Sequence, residues 1–152
     1  MLLAIDPGPT ESAFVFLCDD RSISLSGIYS NDEVLWMVDD AKAANDPLAI
    51  ESVECYGMPV GAEVFQTCYW IGRFIERRGG SEFVTLVPRR EVKLHLCGNV
   101  RAKDPNIRQA ILDLYGGSAA VGKKKSPGPL YGITSHLWSA LAVGLTFRGV
   151  QR

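Results

Sequence analysis

Four consecutive apolar residues, Leu2-Leu3-Ala4-Ile5, run into Asp6 and then into Pro7-Gly8-Pro9-Thr10. The pattern predicts a short buried strand that ends on a carboxylate where the backbone turns. SAFVFLCD and RSISLSGIYS read as two further strands joined by the polar Asp19-Asp20-Arg21 turn, a β-meander at the start of the chain. NDEVLWMVDDAKAAN then places Val34, Leu35, Met37 and Val38 on a helix, with Ser30 or Asn31 as N-cap and acids in the first turn. The run DPLAIESVEC, residues 46–55, returns to strand character and carries Glu51 among its apolar positions.

Val64, Phe65, Cys68, Ile71, Phe74 and Ile75 recur at spacings of three and four, which predicts a helix from Gly61 to Arg78 with that stripe toward the core and Gly79-Gly80 as its stop. SEFVTLV reads as a strand and PRREVKLHL as a short helix opened by Pro88. DPNIRQAILDLYGG is a helix with Asp104 as N-cap and Pro105 at the first position. Residues 116–132, with three lysines and two prolines, have no period and predict a mobile loop. ITSHLWSALAVGLTF closes the chain as an apolar helix capped by Thr134 or Ser135. The order β-β-β-α-β-α-β-α-α-α predicts an α/β fold with a mixed five-stranded sheet flanked by helices, parallel where crossover helices intervene.

Neither a repeat nor a break in composition divides residues 1–152, a length suited to one domain with a real core. Apolar runs stay well short of the roughly 18 residues of a membrane span, and the N-terminus shows no leader pattern, so the expected location is cytoplasmic. Cys18, Cys55, Cys68 and Cys97 form no CxxC pair, which predicts reduced, mostly buried thiols rather than a zinc site or disulfide framework. A net charge of −1 conceals an asymmetry: residues 1–70 hold 12 acids and 2 bases, residues 71–152 hold 5 acids and 14 bases. An acidic region beside a basic one suits a metal site flanked by a surface for a polyanion.

Asp6 has two readings, a metal ligand or a turn acid next to a Gly-Thr loop that cradles phosphate. Sites in open α/β sheets form beyond the carboxyl ends of parallel strands. If the strands bearing Asp6 and Glu51 are parallel neighbours, their carboxylates converge and repel, and a divalent cation removes the penalty. His136 falls in the first turn of the last helix, where the helix dipole disfavours an imidazolium and leaves a neutral ring fit for a cation. His95, in VKLHL, lacks acidic neighbours and reads as structural.

LLAIDPGPTES, LAIESVECYGMPVGAEVFQTCYWIGR, RREVKLHLCGNVRAKDPNIRQAILDLYGG and SHLWSALAVGLTF, in that order, resemble the signature regions of the RuvC family of Holliday junction resolvases, within the RNase H-like and retroviral-integrase superfamily. KKKSPGPLYGI before the last helix is similar to a phage and prophage branch of that family. The resemblance implies an RNase H-like fold and metal-dependent cleavage of four-way or branched DNA that leaves a 5′ phosphate. Asp6, Glu51 and His136 match the family's metal ligands and catalytic residues for two Mg²⁺ ions, with Mn²⁺ able to substitute. The further acid that many members carry falls on Ser139, which implies weaker binding of one ion or a preference for Mn²⁺. Glu54, turned from Glu51 by strand alternation, ranks below these.

Lys93 and Lys103 match basic residues of the family's DNA-binding region, with Arg89, Arg90 and Arg101 beside them. Lys123, Lys124 and Lys125 extend the basic set, and Tyr56 is a shifted match to an aromatic that opens the junction centre. Two equivalent cuts imply a homodimer, placed on the Gly61–Arg78 helix with Tyr69 and Trp70. An actin-like or sugar-kinase-like ATPase needs two lobes that 152 residues do not hold. A less selective flap or fork nuclease and a weakly catalytic branched-DNA-binding module remain as alternatives.

Overall fold

A computed structural model describes residues 1–55 and 57–150, Val150 by its backbone alone. Five strands, β1 (Leu2–Asp6), β2 (Glu11–Leu17), β3 (Ile23–Ser30), β4 (Leu48–Ser52) and β5 (Val84–Pro88), form one sheet in the order β3-β2-β1-β4-β5. β1 to β3 pair antiparallel through short turns, whereas β4 and β5 join parallel to β1 after helical crossovers. The helices are α1 (Asn31–Ala43), α2 (Ala62–Arg78), α3 (Arg89–Cys97), α4 (Asp104–Leu114) and α5 (Leu137–Val150). The mixed five-stranded sheet with flanking helices is the predicted class.

Alternation along the central strand sorts the core into two halves. Leu3 and Ile5 of β1, with Leu48 and Ile50 of β4, face a cluster completed by Val34 and Val38 of α1 and by Ile71 and Phe74 of α2. Leu2, Ala4 and Ala49 point the other way, to a cluster with Val92, Ile107, Ile111 and Leu141 from α3, α4 and α5. Because β1 is covered on both faces, its apolar run is continuous rather than alternating. α5 approaches this central strand closely: a Cβ on Gly144 would stand 3.2 Å from Cβ of Ala4. Burying each large side chain in these clusters contributes about 1.5–3 kcal/mol.

Several local expectations are corrected. α2 buries Thr67, Ile71, Phe74 and Arg78, leaving Phe65 and Cys68 exposed. A helix of 3.6 residues per turn cannot hold the whole proposed stripe on one face, and the sheet took the narrower seam. Residues 116–132 include a 3-10 turn at Ser118–Ala120 and a small ribbon, β6 (Gly122–Lys123) with β7 (Ser126–Pro127). Ala120, Leu130 and Ile133 bury on the core and anchor that segment, and the Leu130 N–H donates to the Ala120 carbonyl. α5 starts at Leu137, since Ser135 has a left-handed φ of 45° that interrupts the helix. Of the two expected caps for α1, Ser30 is the one used, through a capping box with Glu33. Cys55 and Cys68 are exposed, and Cys18 and Cys97 half-buried.

Candidate metal centre

The sheet brings Asp6 and Glu51 together through register and parity. Ile5 lies opposite Ile50 in the parallel β1–β4 pair, so the next residues, Asp6 and Glu51, stand beside each other at the carboxyl ends of both strands. Asp6 shares its face with Ala4, and Glu51 shares its face with Ala49; both residues therefore turn toward α5. The two carboxyl groups are near enough for the charge of Asp6 to bear on Glu51.

His136 arrives from the turn before α5, and its carbonyl accepts from the Ala140 N–H at 3.0 Å. Its placement is thus one step outside the helix rather than in the first turn, with Leu137 as the first helical residue. Nδ1 of His136 lies 2.9 Å from Oδ2 of Asp6, while the ring is 71% exposed. Burial raises the Asp6 carboxyl above its ordinary range, with His136 pulling the other way. Burial, then the charge of Asp6, push Glu51 up to about 7, against the opposing pull of Arg89.

Arg89, the first residue of α3, enters the site. Its Nη1 donates to Glu51 at 3.2 Å and 3.4 Å and to Oγ of Ser139 at 3.4 Å, and its Nη2 donates to Asp104. Asp104 is the first residue of α4 and turns to Arg89, with Lys103 at the cap position. A cleft of about 310 Å³ is lined by Asp6, Glu51, Arg89, Asp104, His136 and Ser139, among others. Among the described residues, no three His, Cys, Asp or Glu side chains already converge as a metal cage. The donor chemistry nevertheless fits one divalent cation: two adjoining carboxyls held above their usual range are short of positive charge, and an imidazole nitrogen stands at one of them.

The loop after Asp6 is tied down by groups from β2 and α1. The Gly8 N–H donates to Oγ of Ser12 at 3.2 Å, Ser12 donates to Oδ1 of Asn31 at 2.5 Å, and Nδ2 of Asn31 donates to the Gly8 carbonyl at 3.0 Å. With Ser12 and Asn31 both buried, this closed ring of bonds leaves no exposed polar end. The glycine is needed here, since a Cβ at Gly8 would come within 2.3 Å of the Glu11 carbonyl oxygen. The loop spends its Gly8 amide internally, which argues against the phosphate-cradle alternative for Asp6.

The remaining predicted residues lie further out. Glu54 follows β4 rather than extending it and pairs with Arg90 at 3.8 Å. Lys93 is half-buried on α3, while Arg101 and Lys103 are exposed in the α3–α4 connection. Lys123, Lys124 and Lys125 are exposed on the β6–β7 ribbon. Tyr56 lies outside the described residues. The His95 ring packs against Gly149, away from the site.

Sequence reasoning passed over Asp104, Ser12 and Asn31. Asp104 carried a cap signal that concealed a long-range partner. Ser12 was visible only as a polar residue at the edge of an apolar strand, and Asn31 only as a rival cap to Ser30.

No protein-family model matches the chain, and no curated protein matches it. Among solved structures, it is similar to T. thermophilus RuvC in complex with Holliday junction substrate, with a TM-score of 0.67 and 18% identity over 99% of this chain and 94% of that one. A second Thermus thermophilus RuvC structure gives a TM-score of 0.59 and 18% identity over 95% of this chain and 91% of that one. The fold is RuvC-like and RNase H-like. Among the described residues, no helix is long and apolar enough to cross a membrane.

Proposed function

We propose that this chain is a structure-selective DNA endonuclease that hydrolyses phosphodiesters in four-way or otherwise branched DNA. The observation that carries the reading is the convergence of Asp6 and Glu51 at the ends of two parallel strands, with Nδ1 of His136 on Asp6. Asp6, Glu51 and His136 would hold Mg²⁺, and Mn²⁺ would substitute. Such an ion, when bound, activates water for in-line attack and offsets charge on the leaving oxygen.

The chain's own residues supply the setting. Burial of both carboxylates beneath α5 keeps bulk water from screening them, which strengthens their hold on a cation and on charge at the reacting phosphate. The Ser12–Asn31 ring holds the Gly8 turn and so orients Asp6. Lys93, Lys103, Arg90, Arg101 and Lys123 to Lys125 would position a duplex through its phosphates without reading its sequence. Cleavage leaves a 5′ phosphate. Two equivalent strands require two sites, so the working form is a homodimer, acting in the cytoplasm of a bacterial cell or phage-infected host.

An Asp6→Asn variant tests this. Wild type should nick a synthetic four-way junction with Mg²⁺, while the variant binds the junction and does not cut. If neither cuts with Mg²⁺ or Mn²⁺ and both bind, the chain is a branched-DNA-binding module, a reading that the serine at position 139 favours. Competition among junction, fork and linear duplex separates a resolvase from a less selective fork or flap nuclease.

A further inference from the structure

Position 139 is where the resemblance calls for an acid, and an uncharged hydroxyl stands there instead. The guanidinium of Arg89 stands beside it, with Nη1 3.4 Å from Oγ of Ser139. It contacts Glu51 of β4, Ser139 of α5 and Asp104 of α4, and so bridges three elements from the start of α3. Its side chain is only 26% exposed, and its partners hold Nη1 and Nη2 separately, so the fork is oriented before any ligand arrives.

A second divalent ion on this side of the site would have to lie between Glu51 and residue 139, which is the space that Nη1 of Arg89 fills. Charge leads to the same conclusion. Fully ionised, Asp6, Glu51 and Asp104 carry three negative charges and Arg89 one positive, a balance that one divalent ion neutralises and two would exceed. Guanidinium is also a group suited to phosphate oxygens, which it binds through paired N–H donors.

We propose that Arg89 is the second cation of this site: one divalent ion binds at Asp6, Glu51 and His136, and the Arg89 guanidinium takes the second position and faces the scissile phosphate. The assignment rests on the nuclease reading and departs from the two ions that the resemblance implies. A carboxylate at 139 would itself pair with Arg89, which already stands 3.4 Å from Oγ of Ser139.

Counting ions on the full chain without DNA tests it, by titration calorimetry and Mn²⁺ electron paramagnetic resonance. The expected result is one Mn²⁺ per chain for wild type and for Ser139→Asp, where Arg89 neutralises the new acid, and two for Arg89→Ala combined with Ser139→Asp. Arg89→Lys, which keeps the charge and disturbs the packing least, should stay at one. Two ions on wild type or on Ser139→Asp, or a folded double variant that still binds one, overturns the proposal; if the double variant does not fold, the Ser139→Asp count decides. Two ions with junction cleavage leaves the nuclease reading intact and removes the role of Arg89. One ion without any cleavage of branched DNA sinks the nuclease reading and with it the phosphate-facing role of Arg89, while Arg89 as the group that excludes a second ion stands.

Discussion

Nδ1 of His136 lies 2.9 Å from Oδ2 of Asp6, across 130 residues of chain. A turn ahead of α5 and the end of the central strand thus meet at one carboxylate. His136→Ala removes the only imidazole at the site among the described residues. Junction nicking should fall at least about 10–100-fold, the loss usual when even an outer partner of a metal ligand is removed. His136→Asp should restore cleavage with Mg²⁺ more than with Mn²⁺, because carboxylate suits the harder ion. Rates measured against the concentration of each metal check both expectations.

Burial and the charge of Asp6 push the Glu51 carboxyl up to about 7 from its ordinary value of 4.5. Between those values the folded, metal-free chain binds a proton at Glu51 that the unfolded chain has released. Stability must therefore fall as pH rises through that window, and Asp6, also raised, acts with the same sign. The urea midpoint in EDTA should be higher near about pH 5 than near about pH 7. Glu51→Gln should flatten that slope, and saturating Mg²⁺ should reverse the loss by replacing the proton. A wild-type slope that survives in Glu51→Gln would place the titration elsewhere.

Legibility followed the range of the interaction. Asp6 and Glu51 stood out because each is an acid in an apolar strand, and period-two alternation with parallel pairing was enough to face both toward one helix. The five-stranded order followed from helices between later strands and tight turns between earlier ones. What escaped were choices that only tertiary contact settles. Asp104 looks like a cap until Arg89 draws its carboxylate away. Phe65 fits an apolar stripe by spacing, yet the sheet accepts Thr67 and Ile71 instead. The ribbon at residues 122–127 has no period of its own and is held by Ala120 and Leu130 in the core.

Asn31 closes the hydrogen-bond ring that fixes the Gly8 turn. Asn31→Leu leaves the Ser12 hydroxyl and the Gly8 carbonyl without their partner in a buried setting, at a cost of about 1–3 kcal/mol. Urea denaturation should report that loss. Mn²⁺ affinity should weaken as well, because Asp6 precedes the loosened turn by two residues. Unchanged metal affinity in a destabilised variant would confine the ring to a structural role.

The outer face of α2 carries Phe65 and Tyr69, 66% and 65% exposed, with exposed Cys68 and Gly72 on the same side. Trp70 belongs elsewhere: it packs beside Phe74, with Arg73 over its ring. Of the two aromatics placed at a dimer contact, Tyr69 is the exposed one and Trp70 is half-buried. Phe65→Glu with Tyr69→Glu should convert a dimer to monomer in sedimentation equilibrium, with folding stability changed by no more than about 0.5 kcal/mol per site. Paired cuts in a cruciform plasmid should give way to single nicks. An unchanged mass for the variant would move the interface off α2.

Lys123, Lys124 and Lys125 project from the ribbon just ahead of the turn that delivers His136, and all three are exposed. If they lie along the phosphates of a bound arm, each contact releases condensed counterions, so log affinity falls with log salt by about 0.9 per contact. Replacing all three by Ala should reduce the magnitude of that slope by about 1 for each lysine in contact. Affinity at low salt should drop uniformly for junctions of different sequence, because phosphate contacts carry no base information. The cleavage rate of fully bound junction should stay near the wild-type value, since none of the three reaches Asp6 or Glu51. Affinity measured over a salt series for wild type and triple variant decides the matter. An unchanged slope would show that the ribbon points away from DNA and that Lys93, Arg90, Arg101 and Lys103 carry the duplex without it.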